Sequence, residues 1–192
     1  SSMPDEELFQ LAAANRLHEH DVLREQVERL LSDQKARAFN TNFTGQWLSL
    51  RAIDATLPDG TLYPEYDDIL KTSMLKETSL FFDEVLNNDQ PLTNFVSSDF
   101  SFLNVRLAKH YRIPGIEGME MRKVTLPGDS HRGGLLTMGS VLKVTANGTT
   151  TSPIIRGSWV LERILGTPPP KPPGDVGAIE PDIRGATTIR EQ

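Results

Sequence analysis

Glu77 falls between Met74 and Phe81, at helical spacing from both, on a stripe that is otherwise apolar. A carboxylate in that place is desolvated, and a buried charge needs a partner. Two readings follow. With a raised pKa, Glu77 works as a general acid or base. Otherwise it sits in a structural ion pair, with Arg106, Arg132 or Arg156 as the available guanidinium groups. His131-Arg132-Gly133-Gly134 is a second grouping. Its glycines would let backbone N–H groups approach an anion, and Arg132 would grip a carboxylate or phosphate. The same four residues also fit a tight turn whose arginine braces the helices. The third grouping is the polar run Thr145 to Arg156, with Asn147, Thr149, Thr150, Thr151 and Ser152 between. Side chains of this kind line sugar-binding sites, and they also satisfy the backbone of irregular loops. The binding candidates are therefore Glu77, His131, Arg132, Asn147, Thr151 and Arg156.

Nothing else in the chain has the spacing of a catalytic or metal site. Arg132 and its glycines match neither the phosphate-binding loop nor the dinucleotide fingerprint. His18 and His20 are two residues apart, so on a helix they do not face one another. Asp54, Asp59, Asp67 and Asp68 do not fit a calcium-binding hand. The serines lack the context of a nucleophile elbow. No metal ligand set is expected. Asn147-Gly148-Thr149 has the form of a glycosylation acceptor, a weak pattern taken alone.

Composition narrows the field further. The 192 residues carry 26 acidic and 20 basic side chains, for a formal charge of −6. An acidic chain is poorly suited to a polyanion, so nucleic acid is not an expected partner. The absence of cysteine excludes disulfides, thiolate nucleophiles and covalent haem attachment on this chain. No run reaches the roughly 18 apolar residues that a membrane span needs. Six of the thirteen prolines fall between Thr167 and Pro181, so the packed core should end near Gly166.

The elements that must position these groups read mainly as helices. A first helix starts at Ser1 or Ser2, with Pro4 in its first turn and Leu8, Leu11, Ala12 and Leu17 facing inward. A second starts at Asp21 and turns Leu23, Val27, Leu30 and Leu31 inward. Ser32 or Asp33 caps a third, whose Ala36, Phe39, Phe43, Trp47 and Leu50 keep one helical face. Burial of Phe39, Phe43 and Trp47 would contribute about 5–9 kcal/mol. A long helix over 64–87 carries Tyr66, Leu70, Met74, Phe81 and Val85 on its inner stripe. Asn104 caps a short helix through His110. Beyond Pro114, Arg122–Leu126 and Ser140–Thr145 alternate β-branched and polar residues, which predicts short strands or extended segments. Ser152-Pro153 opens a return helix that is apolar on most sides and ends at Gly166. The following prolines predict a polyproline II strap or spacer.

Three segments resemble one domain of unknown function, numbered fifteen-ninety-two. They are Phe43-Thr44-Gly45-Gln46-Trp47-Leu48, the stretch Leu62–Leu86 containing Glu77-Thr78-Ser79-Leu80-Phe81-Phe82, and Asp99–Tyr111. Arg132-Gly133-Gly134-Leu135-Leu136-Thr137, then Thr151-Ser152-Pro153, Arg156-Gly157 and Leu165-Gly166-Thr167-Pro168-Pro169-Pro170, resemble a second, numbered fifteen-eighty-eight. The two stand side by side in large planctomycete proteins of cytochrome c type. The resemblance implies a chain cut at both ends, with haem c in neighbouring domains and no cofactor in this stretch. It also implies an exported protein, periplasmic or extracellular, and an association with complex polysaccharides. In one place the chain departs from the pattern. Between Asn147 and Ser152 relatives carry a proline and an arginine, where this sequence has Gly148 and Thr150.

These readings predict a mainly α fold: a helical bundle, an irregular and short-stranded C-terminal segment, one buried return helix and a Pro-rich tail. A helical domain would span 1–125, a second domain packed on it 126–170, and a Pro/Gly-rich tail or linker 171–192. The expected function is a non-catalytic structural or binding module of an exported haem-containing multidomain protein. Its expected partners are the neighbouring domains and a polysaccharide, with no nucleic acid and no membrane span. The alternative is a hydrolytic enzyme domain using Glu77 with His131 or Arg132. A carbohydrate-binding module with exposed aromatic platforms ranks lower, because Trp47 and Trp159 both read as buried.

Overall fold

A computed structural model describes residues 3–170. The proline tail from Lys171 lies outside the described residues, and the first helix starts at Glu6, later than the expected cap at Ser1 or Ser2, so that Pro4 precedes it. The described chain forms two compact units, one up to Phe43 and one from Thr44 onward.

Two helices and the start of a third make the first unit. α1 (Glu6–Ala13) is capped by Asp5, whose carboxylate accepts from the Leu8 N–H at 3.1 Å. Glu6 and Glu7 then favour the positive end of its dipole. α2 (His20–Ser32) buries Val22 and Gln26. The expected inner residues Leu23, Val27, Leu30 and Leu31 are instead exposed. The contact between α1 and α2 is polar, which explains the difference. Gln26 Nε2 donates to Glu7 at 2.8 Å, and Arg29 donates to both Asp5 oxygens and to Gln26. α3 (Ala36–Trp47) forms as its periodicity predicts, but its stripe is divided. Phe39 and Phe43 stack on each other with centroids 5.8 Å apart and stay 55% and 42% exposed. The burial expected from those two rings is therefore largely unrealised. Trp47 alone joins a core, edge-on to Phe95 and Phe82.

The second unit is built around α4 (Asp68–Asn87), which starts four residues later than the sequence predicts. Asp67 sets that start by accepting from the Leu70 N–H at 2.6 Å. Leu70 and Met74 pack with Leu103, Leu107, Tyr111 and Leu126 in one apolar cluster. About two and three turns beyond Met74, Phe81 and Val85 pack with Leu48, Phe100, Leu135, Met138, Val141 and Trp159 in another. Phe81 and Phe100 stack at 4.9 Å.

β1 (Phe100–Leu103) has no sequence expectation behind it, because four residues are too short a run to establish a period. It pairs antiparallel with β2 (Arg122–Thr125), Ser101 opposite Val124 and Phe102 opposite Lys123. Between them α5 (Val105–Tyr111) is capped by Asn104, as expected.

Ser140–Thr145 is helical, not extended. α6 (Gly139–Val144) buries Ser140, Val141 and Lys143 on one side. Its hydroxyls are satisfied inside the helical arrangement: Thr145 Oγ1 donates back to the Val141 carbonyl at 2.8 Å, and Ser140 shares a 2.6 Å bond with Thr78. α7 (Pro153–Arg163) is the return helix, with Ser152 as its cap and Pro153 in its first turn. It is buried on one face only, through Trp159, and Ile154 is 85% exposed. Trp47 Nε1 donates to the Arg163 carbonyl at 2.7 Å and ties that face down. The fold is mainly α with one small sheet.

Residues before and after Pro114 thus share a core. A chain ending at residue 131 lacks Leu135, Met138, Val141 and Trp159. At about 2–3 kcal/mol each, their loss approaches the whole stability of a typical domain. Such a truncated chain is expected to lose the near-ultraviolet circular dichroism of its aromatic core and its cooperative urea transition. A sharp transition in the truncated chain would show that residues 44–131 fold unaided.

Candidate functional site

Glu77 lies where its spacing predicts, on the core side of α4 and 2% exposed. Among the described residues no guanidinium forms an ion pair with it. Arg106 is bound to Asp67 and to the Glu65 carbonyl, and Arg156 to Thr145. Glu77 is met instead by hydroxyls from the elements around it. Ser101 of β1 donates to one oxygen at 2.7 Å, and Tyr111 of α5 donates to the other at 2.5 Å. The Tyr111 hydroxyl in turn accepts from the Gly139 N–H at 2.6 Å. Gly139 is required there: a Cβ would come within 2.8–2.9 Å of Met74 and the Tyr111 hydroxyl.

Burial pushes the Glu77 carboxyl up from 4.5 to about 7, while the two hydroxyls and then the Arg132 guanidinium draw it back. Burial and the Glu77 charge likewise raise the Tyr111 phenol. Arg132 lies over the Tyr111 ring, its central carbon 3.6 Å from the centroid. The space beside Glu77 is about 10 Å³, room for no more than one water.

On the other side of Tyr111 an open cleft of about 270 Å³ runs over the second unit. It gathers Arg132, Thr151 and Arg156 from the sequence candidates. Tyr63, Tyr66, Leu70, Met74 and Leu142 supply an apolar and aromatic wall. The Tyr66 hydroxyl is buried there with no hydrogen-bond partner. His110 stays near Glu65, at 3.9 Å, and burial lowers its pKa.

Lys143, also on the lining, is buried. Its three protons go to the Ile53 and Thr56 carbonyls and the Thr56 hydroxyl. Burial lowers its pKa.

The other candidates have different surroundings. Asn147 Oδ1 accepts from the Thr149 and Thr150 N–H groups, so the side chain is spent on its own turn. That turn is stitched to the chain opposite by the Asp59 N–H bonding the Gly148 carbonyl and the Tyr63 hydroxyl bonding the Thr149 carbonyl. His131 is exposed and lines neither space. Gly133 and Gly134 lie against the backbone of residues 95–98. A Cβ on either would strike the Ser98 or Val96 carbonyl, so they serve a close backbone crossing.

Sequence reasoning missed Tyr63, Tyr66, His110, Tyr111 and Lys143. Tyr66 had been placed on a helical stripe, and Lys143 stands in a segment that reads as extended. Among the described residues no cluster of His, Asp and Glu could hold a metal, and no helix is long and apolar enough to cross a membrane.

Comparison with known families matches residues 1–113 to a family described as a protein of unknown function, DUF1592, and residues 132–192 to a second so described, DUF1588. No curated protein and no solved structure matches the chain.

The Glu77 network makes a pH signature. Its carboxyl binds a proton more tightly folded, at about 7, than at its ordinary 4.5. Folding therefore takes up a proton in that window, and stability falls as pH rises through it, by on the order of 3 kcal/mol at most. Above the folded value the loss is complete and constant. Glu77→Gln, neutral throughout, should match the parent in urea denaturation near the bottom of the window and exceed it at about pH 8. Parallel pH profiles for parent and variant would mean that the Tyr111 and Ser101 hydroxyls, with Arg132, keep Glu77 ionised.

Proposed function

We propose that this chain, which belongs to the DUF1592 family of proteins of unknown function and continues into a DUF1588 region, is a non-catalytic binding module. In this reading it belongs to an exported, haem-carrying multidomain protein. The observation that carries it is the separation of the two spaces. The cleft is open and lined by tyrosines, hydroxyls and guanidinium groups. Glu77, the one strongly perturbed carboxyl among the described residues, is sealed behind Tyr111.

A hydrolase needs an acid or base within hydrogen-bond reach of the bond it breaks. Glu77 has about 10 Å³ beside it and two hydroxyl partners, and His131 lies outside both spaces. That arrangement favours binding over the hydrolytic alternative.

The cleft suits a ligand the size of one or two sugar rings, with ring faces against Tyr63 and Tyr66 and hydroxyls near Thr150 and Thr151. A polysaccharide segment is the partner this supports. Haem c would sit in neighbouring domains, because this chain has no cysteine to attach it. In the whole protein the module would place a glycan beside those domains.

The test sets the purified longer protein, with its visible spectrum, beside this chain against a polysaccharide panel. Haem bands in the longer protein and glycan binding by this chain alone are the expected results. Release of reducing ends by this chain, abolished in Glu77→Gln, would establish the hydrolytic alternative. Binding by the longer protein only would leave this region a scaffold.

A further inference from the structure

We infer that Arg132 and Arg156 form an oxyanion site in the cleft, so that the ligand is an acidic sugar and not a neutral one. The inference rests on the binding-module reading and adds the charge class of what is bound.

The chain as a whole is acidic, at −6. The cleft runs against that balance, with Arg132, Lys143 and Arg156 on its lining against the carboxylate of Glu65, while Glu77 faces Arg132 from the sealed space behind Tyr111. Glu65 faces His110 at 3.9 Å and is in no ion pair with an arginine among the described residues. Lys143 has spent its protons on backbone and hydroxyl oxygens.

The two guanidinium groups have not. Arg132 donates through one terminal nitrogen to the Thr137 carbonyl at 2.7 Å. Arg156 donates through Nε to Thr145 Oγ1 at 3.1 Å. Among the described residues neither takes part in an ion pair. Each keeps donors for a ligand, and a guanidinium fork matches the oxygens of a carboxylate or phosphate.

Both are held in place. Arg132 lies on the Tyr111 ring, and Arg156 is fixed through the buried Thr145. A preorganised donor costs less entropy on binding. The rest of the lining suits the body of the ligand. Tyr63 is pinned through its hydroxyl to the Thr149 carbonyl, which presents its ring.

Carboxylate and phosphate share this chemistry, so the probes are digalacturonate, glucose 6-phosphate, neutral digalactose and inorganic phosphate. Each is titrated calorimetrically into the 192-residue chain at low and high salt. An acidic sugar should bind, weaken as salt rises, and bind at least about tenfold more tightly than digalactose. Arg156→Ala should weaken it about tenfold or more without moving the melting temperature. Arg132→Gln serves as a second variant should the first be poorly folded. Whichever acidic sugar binds identifies the anion as carboxylate or phosphate.

Equal binding of digalacturonate and digalactose, or full acidic-sugar binding by folded Arg156→Ala and Arg132→Gln, would overturn the oxyanion site and leave the sugar-binding reading standing. Inorganic phosphate bound without any sugar would support the oxyanion site and end the sugar reading. No binding by any probe would overturn both.

Discussion

A carboxyl group cut off from water stands at the middle of the longest helix, between the two apolar clusters that hold the second unit together. Glu77 is tolerable there only because each oxygen meets a hydroxyl, one from β1 and one from α5. The requirement reaches outward. Tyr111 must stand where its hydroxyl can donate to Glu77 and accept from Gly139, which fixes the start of α6. Gly139 must have no side chain, because Met74 and Tyr111 occupy the place of one. Four elements are thus placed by the polar needs of one side chain. Such groups cost free energy when half satisfied.

The same tyrosine connects core to surface. Its hydroxyl faces inward, and its ring carries Arg132 on the cleft side. A guanidinium on an aromatic face keeps its charge while losing much of its freedom. The cleft therefore inherits its order from the core, although its walls are partly loop. The loop walls are themselves fastened. Lys143 clamps the carbonyls of Ile53 and Thr56, and the turn at Asn147 bonds across to Asp59 and Tyr63.

The long helix, the Asn104 and Ser152 caps and the place of Glu77 were legible in the sequence, because each rests on local spacing or on a cap a few residues away. Glu77's partners were not. Ser101 and Tyr111 lie 24 and 34 residues on, and no local rule connects a carboxylate to a serine in an unforeseen strand. Periodicity misled about burial in the first unit. Leu23, Val27, Phe39 and Phe43 keep helical spacing yet remain open to solvent. Ser140–Thr145 reads as extended because alternation carries no record of back-bonding hydroxyls. Of the candidate residues, Arg132, Thr151 and Arg156 share the cleft, and charge and hydroxyl density singled them out. The tyrosines beside them carry no sequence signature of a site.

The shared core also bears on how this chain can change over generations. The two matched families meet between residues 113 and 132, yet Phe81 and Phe100 from one side pack with Leu135, Met138 and Trp159 from the other. A recombination between those boundaries would join halves that had not adjusted to each other. Every apolar face in the cluster, and the pairing of Gly139 with Tyr111, would then be mismatched at once. The two regions are expected to be inherited as a pair and to exchange substitutions across the boundary, as two parts of one domain do.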